Sequence, residues 1–351
     1  MNVEDTQQGR RGNVLNGPSM EIKMQSRQFG RTGRAVSEIG FGSWAIGAAW
    51  GEVNDDEAIA ALHAALDAGV TFIDTADVYG DGRSEKLIAR VVKERGGERP
   101  FIATKAGKRL PSQTVEGYTQ DNLDIWIDRS RKYLETDTLD LVQLHCPVTD
   151  LYYHPEVFER LDRLVDSGKI RNYGVSVERV EEALKAIEYP GVVSVQIIFN
   201  AFRQRPADLF FDLAKQREIA VIARVPLASG LLSGKFKRDT QFEDTDHRKF
   251  NRNGEKFDVG ETFAGVPYER GLAAVERVRP LVSGDATMAK FALRWILMFD
   301  AVSVVIPGAR NPAQARANAE AAALPPISPR IMEKINDIYL EDIKPFVHQR
   351  W

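Results

Sequence analysis

Six apolar runs in this chain end at, or just before, a residue that can hold a proton, a charge or a hydrogen bond. Asp74 follows Phe72-Ile73, Lys105 follows Phe101 to Thr104, His145 follows Leu141 to Leu144, and Ser176 follows Val175. Gln196 interrupts the next run, with Asn200 just past it, and Arg224 ends the one after. Tyr79 stands five residues beyond Asp74, in the loop Thr75-Ala76-Asp77-Val78-Tyr79-Gly80, near enough to fold back over Asp74 and Lys105. An ammonium beside a phenol stabilises the phenolate and lowers a pKa that starts near ~10. The hydroxyl then becomes a usable general acid or base. His145 adds a second proton carrier or an orienting donor. Acid, ammonium, phenol and imidazole can protonate a carbonyl oxygen but cannot supply a hydride, which must come from a cofactor.

Other chemistries fit less well. His145 and Cys146 are adjacent, but neighbours on a strand point to opposite faces, so Cys146 is expected to be structural. The five histidines (63, 145, 154, 247, 348) are scattered and no H-E-x-x-H is present, so no metal site is expected. There is no Walker A sequence. Gly40-Phe41-Gly42-Ser43-Trp44-Ala45 matches the loose G-x-G-x-x-G/A pattern, but a Gly-, Ala- and Trp-rich loop follows it and the first helix begins only near Asp55, so a Rossmann reading fails. Two turns suit phosphate. Gly308 and Arg310 precede a helix starting near Pro312, where backbone amides and a guanidinium bind anions. Ser229-Gly230-Leu231-Leu232-Ser233-Gly234-Lys235 is a second amide-rich turn. Each also reads as a plain surface turn.

Apolar runs at residues 37–41, 70–73, 101–104, 139–144, 170–175, 192–198, 219–223 and 302–306 alternate with amphipathic segments of helical length. Strands apolar on both faces between helices mean a parallel sheet covered by helices, and eight of them favour a closed (β/α)8 TIM barrel. Residues 27–36, with a Gly30…Gly33 turn, predict an N-terminal hairpin closing one end. Asn54 and Ser84 are expected N-caps, and Gly69 and Gly168 helix stops. After strand 7 the rhythm breaks into a long loop, residues 235–265, carrying Phe236, Phe242, Phe250, Phe257 and Phe263 at no strand or helix period. Loops of this length are functional lids or solvated insertions. Residues 1–23 read as a polar, disordered tail, and 24–351 as one barrel domain.

The chain has 351 residues, 43% hydrophobic, and a formal charge of −3. Without a basic excess, no nucleic-acid partner is expected. No apolar run approaches the ~20 residues of a membrane span, and the N-terminus lacks the apolar stretch of a secretory signal. A single cysteine suits a reducing compartment, so a cytoplasmic location is expected.

The ordered set Gly40 to Trp44, Phe72 to Gly80, Ala103 to Lys105, Leu139 to His145, Gly168 to Ser176, Pro226 to Lys235 and Ile306 to Arg310 resembles the aldo-keto reductase superfamily over roughly residues 25 to 343. The resemblance implies a (β/α)8 barrel that binds NADP(H) without a Rossmann domain and acts on a small-molecule carbonyl substrate. It assigns Asp74, Tyr79, Lys105 and His145 to catalysis, with the tyrosine giving the proton and the nicotinamide the hydride. Ser176, Gln196 and Asn200 match residues that hold the carboxamide. Leu227, Ser229, Gly230, Leu232 and Lys235 match the pyrophosphate turn, while Gly308, Arg310, Gln314 and Asn318 match the adenosine 2′-phosphate contacts. Gly42, Trp44, Asp74 and Arg224 complete the implied cofactor surface. Phe199 and Arg224 stand where many members have tyrosine, the latter at a position that stacks on nicotinamide; a guanidinium can stack on a ring too. The resemblance equally admits a nucleotide-binding redox-sensor subunit of the potassium-channel β type. Trp44, Trp50, Tyr152, Tyr153 and Phe202 predict an aromatic-lined substrate pocket.

Overall fold

The computed structural model describes residues 24–47, 54–282, 284 and 286–351. The expected tail and Trp50 lie outside them. A hairpin comes first: β1 (Ser26–Gln28) pairs antiparallel with β2 (Ala35–Ser37). Eight parallel strands follow in sequence order: β3 (Phe41–Gly42), β4 (Phe72–Asp74), β5 (Phe101–Ala106), β6 (Leu141–His145), β7 (Tyr173–Ser176), β8 (Val192–Ile198), β9 (Ala220–Arg224) and β10 (Val302–Val305). Parallel bridges Ile39 to Val305 and Gly42 to Gly308 close the sheet on itself. The fold is the (β/α)8 barrel.

Period-two alternation explains what fills the barrel and what stands at its mouth. Phe72, Phe101, Ala103, Leu141, Ala220, Ile222, Val304 and Ile306 form one apolar cluster, sealed by Phe29 of the hairpin, whose ring lies 5.3 Å from Phe72 and 5.0 Å from Phe101. Continuing the same parity one step up each strand gives Asp74, Lys105, Gln143 and Arg224. Apolar residues therefore plug the bottom and polar ones rim the top, where such barrels place their active sites. The other parity packs outward beneath the helices in a second, larger core.

Helix signals are met in part. Asn54 caps Asp55–Asp67 by accepting from the Glu57 amide, and Gly69 and Gly168 end their helices at φ 88° and 74°. Ser84 is not a cap: the helix Arg83–Arg95 begins one residue earlier, behind Gly82. The Ser84 hydroxyl is buried and lies 2.7 Å from Ser43 Oγ and 2.9 Å from Thr75 Oγ1, tying the helix to the mouth loops. Residues 44–47, expected as loop, form one helical turn. The excursion after β9 is folded: it holds the helix His247–Phe250 and short turns at Val259–Glu261 and Phe263–Gly265. The rings of Phe236, Phe242, Phe263 and Tyr268 pack together, with the Arg248 and Arg252 guanidinium groups over Phe242. Phe236, Phe242 and Phe263 thus serve one aromatic knot, while Phe250 packs on Phe257 and Phe257 on Trp44, with no regular period to reveal either. No helix among the described residues is long and apolar enough to cross a membrane.

Candidate active site

Strand register brings the polar rim together. Lys105 is in register with Gln143, His145 with Ser176, and Ser176 with Gln196. Lys105 is wholly buried, and its Nζ lies 2.6 Å from Asp74 Oδ1, 2.8 Å from the Thr75 carbonyl and 3.2 Å from the Tyr79 hydroxyl. Gln196 donates to Asp74 Oδ2 at 2.7 Å and Gln143 reaches the same oxygen at 3.4 Å. The carboxylate thereby gains partners on both oxygens, as a buried charge requires. The His145 ring meets the Tyr79 ring edge to face with centroids 6.0 Å apart. Asp74, Tyr79, Lys105 and His145, far apart in sequence, form one cluster at the mouth.

The protonation states follow from burial and charge. Burial alone would push the Lys105 ammonium down, but Asp74 and then Tyr79 hold it above its ordinary value. The Tyr79 phenol departs from the sequence expectation. Lys105 does pull it down, yet burial outweighs that pull and holds it at about 12. Tyr79 is thus a protonated donor at neutral pH. Burial, then the nearby Lys105, Lys108 and Arg224 cations, pushes His145 well below the usual imidazole range. A neutral ring can donate or accept a hydrogen bond but carries no spare proton, which leaves orientation as its role. Its Nδ1 is buried and has no hydrogen-bond partner among the described residues.

A second cluster borders the first. Arg224 ends β9 and its guanidinium is ion-paired with Glu261 of the long excursion, donates to the Val177 carbonyl at 2.8 Å and reaches Cys146 Sγ at 3.7 Å. Cys146 corrects the alternation argument. It sits past the end of β6 at φ 45°, a left-handed turn that sends the thiol toward Ser176 Oγ, 3.5 Å away. Strand alternation stops where the strand stops. Burial pushes the thiol up to about 12, so it stays protonated. Cys146 Sγ and oxygens of Glu178 and Glu261 lie within 4.8 Å of one another. The Arg224 guanidinium already contacts two of those three groups and supplies the positive charge there. Burial, then Glu261 and Asp258, raises Glu178 to about 8. Glu178, two residues past a strand end, was findable by the rule that found Ser176. Glu261 was not, because nothing in residues 235–265 carries a period.

The family model of the Aldo/keto reductase family matches residues 38–340. The chain belongs to this family. A relative in Bacillus subtilis (strain 168), the aldo-keto reductase YhdN, is 31% identical over 302 residues, covering 85% of this chain and 88% of that protein. The "Probable voltage-gated potassium channel subunit beta" of Arabidopsis thaliana is 26% identical over 331 residues, covering 90% of this chain and 96% of that one. Among solved structures, the holo form of aldo-keto reductase AKR11C1 from Bacillus halodurans aligns with TM-score 0.72 and 25% identity over 90% of this chain and 96% of that one.

In this aldo-keto reductase the residues expected around a nicotinamide cofactor divide into groups. Gly308 is exposed, and a Cβ there would make ordinary contacts with the Ala45 Cβ at 3.5 Å and the Gly42 carbonyl oxygen at 3.6 Å, next to the turn before the helix Pro312–Glu320. The Arg310 amide is held by Gln314 Oε1 at 2.8 Å, and Asn318 donates to the Gly308 carbonyl at 3.1 Å, so Gln314 and Asn318 brace this turn. That preorganised helix N-terminus, with Arg310 two residues before it, fits a phosphate. Successive left-handed residues shape the Leu227 turn, namely Ala228 (φ 47°), Ser229 (φ 52°) and Gly230 (φ 100°). The Ser229 hydroxyl does not face outward: it donates to the Glu261 carbonyl at 2.8 Å and accepts from the Phe263 amide at 3.0 Å. Leu232 is buried and Lys235 is exposed.

Two of the expected cofactor residues have structural partners of their own. Asn200 donates to the Val225 carbonyl at 2.9 Å and accepts from the Phe202 amide at 2.8 Å, so this wholly buried amide closes a turn between the ends of β8 and β9. Gly42 is required by the barrel seam, where a Cβ would come within 2.6 Å of the Ile306 carbonyl oxygen. The aromatic pocket is also revised. Tyr152 and Phe202 are buried core residues, and Tyr153 is an exposed ring with the Lys185 ammonium 5.3 Å from its centroid. Trp44 alone of the described group stands at the mouth, stacked 6.3 Å from Tyr79 and covered by His247 at 4.8 Å and Phe257 at 6.1 Å.

Proposed function

We propose that this aldo-keto reductase is an NADP(H)-dependent carbonyl reductase acting on a small-molecule aldehyde or ketone, reversible to alcohol oxidation. The observation that carries the reading is the buried chain Asp74–Lys105–Tyr79, at 2.6 and 3.2 Å. A phenol held at about 12 gives its proton only to a strongly basic acceptor, such as the oxygen of a carbonyl becoming an alkoxide. The Lys105 ammonium then stabilises the phenolate left behind, and Asp74 keeps that ammonium in place. The neutral His145 imidazole orients the substrate oxygen toward Tyr79. Bound reduced nicotinamide supplies the hydride to the carbonyl carbon. Ser176 and Gln196 border the expected carboxamide position, and Arg310 with the Pro312–Glu320 helix N-terminus would hold a 2′-phosphate, which favours NADP over NAD.

The test is NADPH oxidation with a panel of aldehydes by wild type and Tyr79→Phe, which removes a hydroxyl that among the described residues hydrogen-bonds only to Lys105. General acid catalysis of this kind is worth about 10²–10⁴. Equal rates would remove Tyr79 as the donor. The likeness to a protein named as a potassium channel β subunit supports a second reading, a nucleotide-binding sensor subunit. Tight NADPH binding without turnover of any carbonyl would favour it.

A further inference from the structure

Asp74, Lys105 and His145 stand on barrel strands, whereas Tyr79 stands on a loop. The barrel fixes the first three; something else must fix the fourth. The loop itself is ill suited to rigidity, since Gly80, Asp81 and Gly82 follow Tyr79 at φ 60°, 53° and 89°. Asp81 pays a steric cost there that glycine would not.

The hold comes from outside the loop. Arg129, on the helix Gln120–Tyr133, donates to the Asp77 carbonyl at 3.1 Å and the Asp81 carbonyl at 2.9 Å, two residues before and two after Tyr79. It also donates to Asp81 Oδ1 at 2.7 Å. The guanidinium lies 4.7 Å from the ring centre of Tyr133, one turn along the same helix, and that ring packs against Gly82, where a Cβ would collide with it. Arg109, in the segment after β5, is ion-paired with Asp81 and places Nε 3.5 Å from Asp77 Oδ2. Asp77 is wholly buried, and among the described residues neither of its carboxyl oxygens has a side-chain hydrogen-bond partner. On the opposite side Gly47 packs against the Tyr79 backbone with no room for a side chain. A planar fork that bridges two carbonyls and a carboxylate is a geometry lysine cannot reproduce.

We propose that Arg129, assisted by Arg109, is a positioning residue for Tyr79, clamping residues 77–81 so that the phenol stays within reach of Lys105 and the substrate oxygen. The inference rests on the reading of Tyr79 as proton donor. A misplacement of about 1 Å caused away from the reacting atoms can cost on the order of 10²-fold in rate. The variants are Arg129→Met, Arg129→Lys and Asp81→Asn, the last an exposed side chain whose change leaves the core untouched. Arg129→Met is expected to lower kcat at least tenfold with the NADPH dissociation constant within twofold of wild type, Arg129→Lys to lie between, and Asp81→Asn to fall a few-fold. Added to Tyr79→Phe, Arg129→Met is expected to cause no further loss, because it acts only through the hydroxyl already removed. Hydrogen exchange of the segment 75–83 should quicken in Arg129→Met. Additive losses in the double variant, or an unchanged kcat with unchanged exchange, overturn the clamp. Should Arg129→Met not fold, Arg129→Lys and Asp81→Asn carry the same comparison. A wild type that turns over no carbonyl overturns the functional reading and the clamp's catalytic role with it, whereas an active wild type matched by its Arg129 variants overturns the clamp alone.

Discussion

Arg224 and Glu261, 37 residues apart, form a buried ion pair that ties the top of β9 to the far end of the long excursion. Burial alone would pull the Arg224 guanidinium down, but Glu261 holds it above its ordinary value. The same excursion is fastened a second time, where Ser229 accepts from the Phe263 amide and donates to the Glu261 carbonyl, and a third time where His247 lies over Trp44. A segment that reads as a charged insertion is therefore part of the wall of the candidate site.

Removing one partner of a buried pair strands the other charge and costs about 3–5 kcal/mol, more than the pair contributes over an apolar replacement. Side-chain exposure of 8% for Arg224 and 14% for Glu261 puts this pair in that regime. Glu261→Ala is expected to lower unfolding stability by about 3 kcal/mol. The Arg224→Leu/Glu261→Leu double variant is expected to lose less than Glu261→Ala alone. Urea midpoints at constant m decide it, and a double variant worse than the single would show that the pair is not the fastening.

How far the chain could be read in advance follows from where its residues sit. The polar rim was legible because it needs no tertiary information: an apolar run that stops at Asp74 or Lys105 marks the C-terminal end of a barrel strand, where such folds place their active sites. Cys146 was misread because alternation was carried one residue past the strand, into a left-handed turn. The turn that Asn200 closes was not legible, because a buried amide closing a turn and an amide facing a ligand leave the same letter in a sequence. Tyr152 and Phe202, both wholly or almost wholly buried, were misassigned for a related reason: an aromatic on a mouth-side loop is apolar whether it faces substrate or core. Arg129 gave no signal at all, since two of its partners are backbone carbonyls and the third the Asp81 carboxylate, on a loop 48 to 52 residues away.

The buried Asp77 carboxyl has a consequence for stability. Burial first, then Glu85, raises it from 3.8 to about 7, against the pull of Arg109 and Arg129. Between those values the folded chain holds a proton that the unfolded chain has released, so this group's contribution to stability falls as pH rises from about 4 to about 7. The loss is on the order of 4 kcal/mol at one pK unit per ~1.4 kcal/mol. Asp77→Asn cannot titrate. Its stability relative to wild type should therefore improve steadily across that window, as chemical denaturation at a series of pH values would reveal. A difference independent of pH would mean that the carboxyl is already ionised in the folded protein.

Under the proposed mechanism, the Tyr79 phenol makes opposite demands on the two reaction directions. Reduction needs the protonated form, which at about 12 is fully present throughout the neutral range, so kcat for carbonyl reduction should be flat from about pH 6 to 9. Oxidation needs the phenolate, whose share rises tenfold per pH unit below the pKa. Alcohol oxidation at saturating cofactor should accordingly climb with a slope near one in log rate over about pH 7 to 10. A plateau near neutrality would place the phenol far below the value that burial sets.

On the proposed reading, cofactor choice turns on Arg310. A 2′-phosphate carries about two negative charges near neutral pH, and a bidentate guanidinium beside the Pro312–Glu320 helix N-terminus is the chemistry that recognises it. Its backbone is fixed independently of any ligand, since Gln314 Oε1 holds the Arg310 amide and Asn318 the Gly308 carbonyl. Charge-assisted hydrogen bonds contribute about 1.5–3 kcal/mol each. Arg310→Met is therefore expected to weaken NADPH binding by about tenfold to a hundredfold, a loss in that energy range. NADH, which lacks the phosphate, should bind the variant and the wild type alike. Fluorescence titration of both nucleotides against both proteins separates the effects. Parallel losses for NADPH and NADH would show that Arg310 shapes the turn and does not read the phosphate.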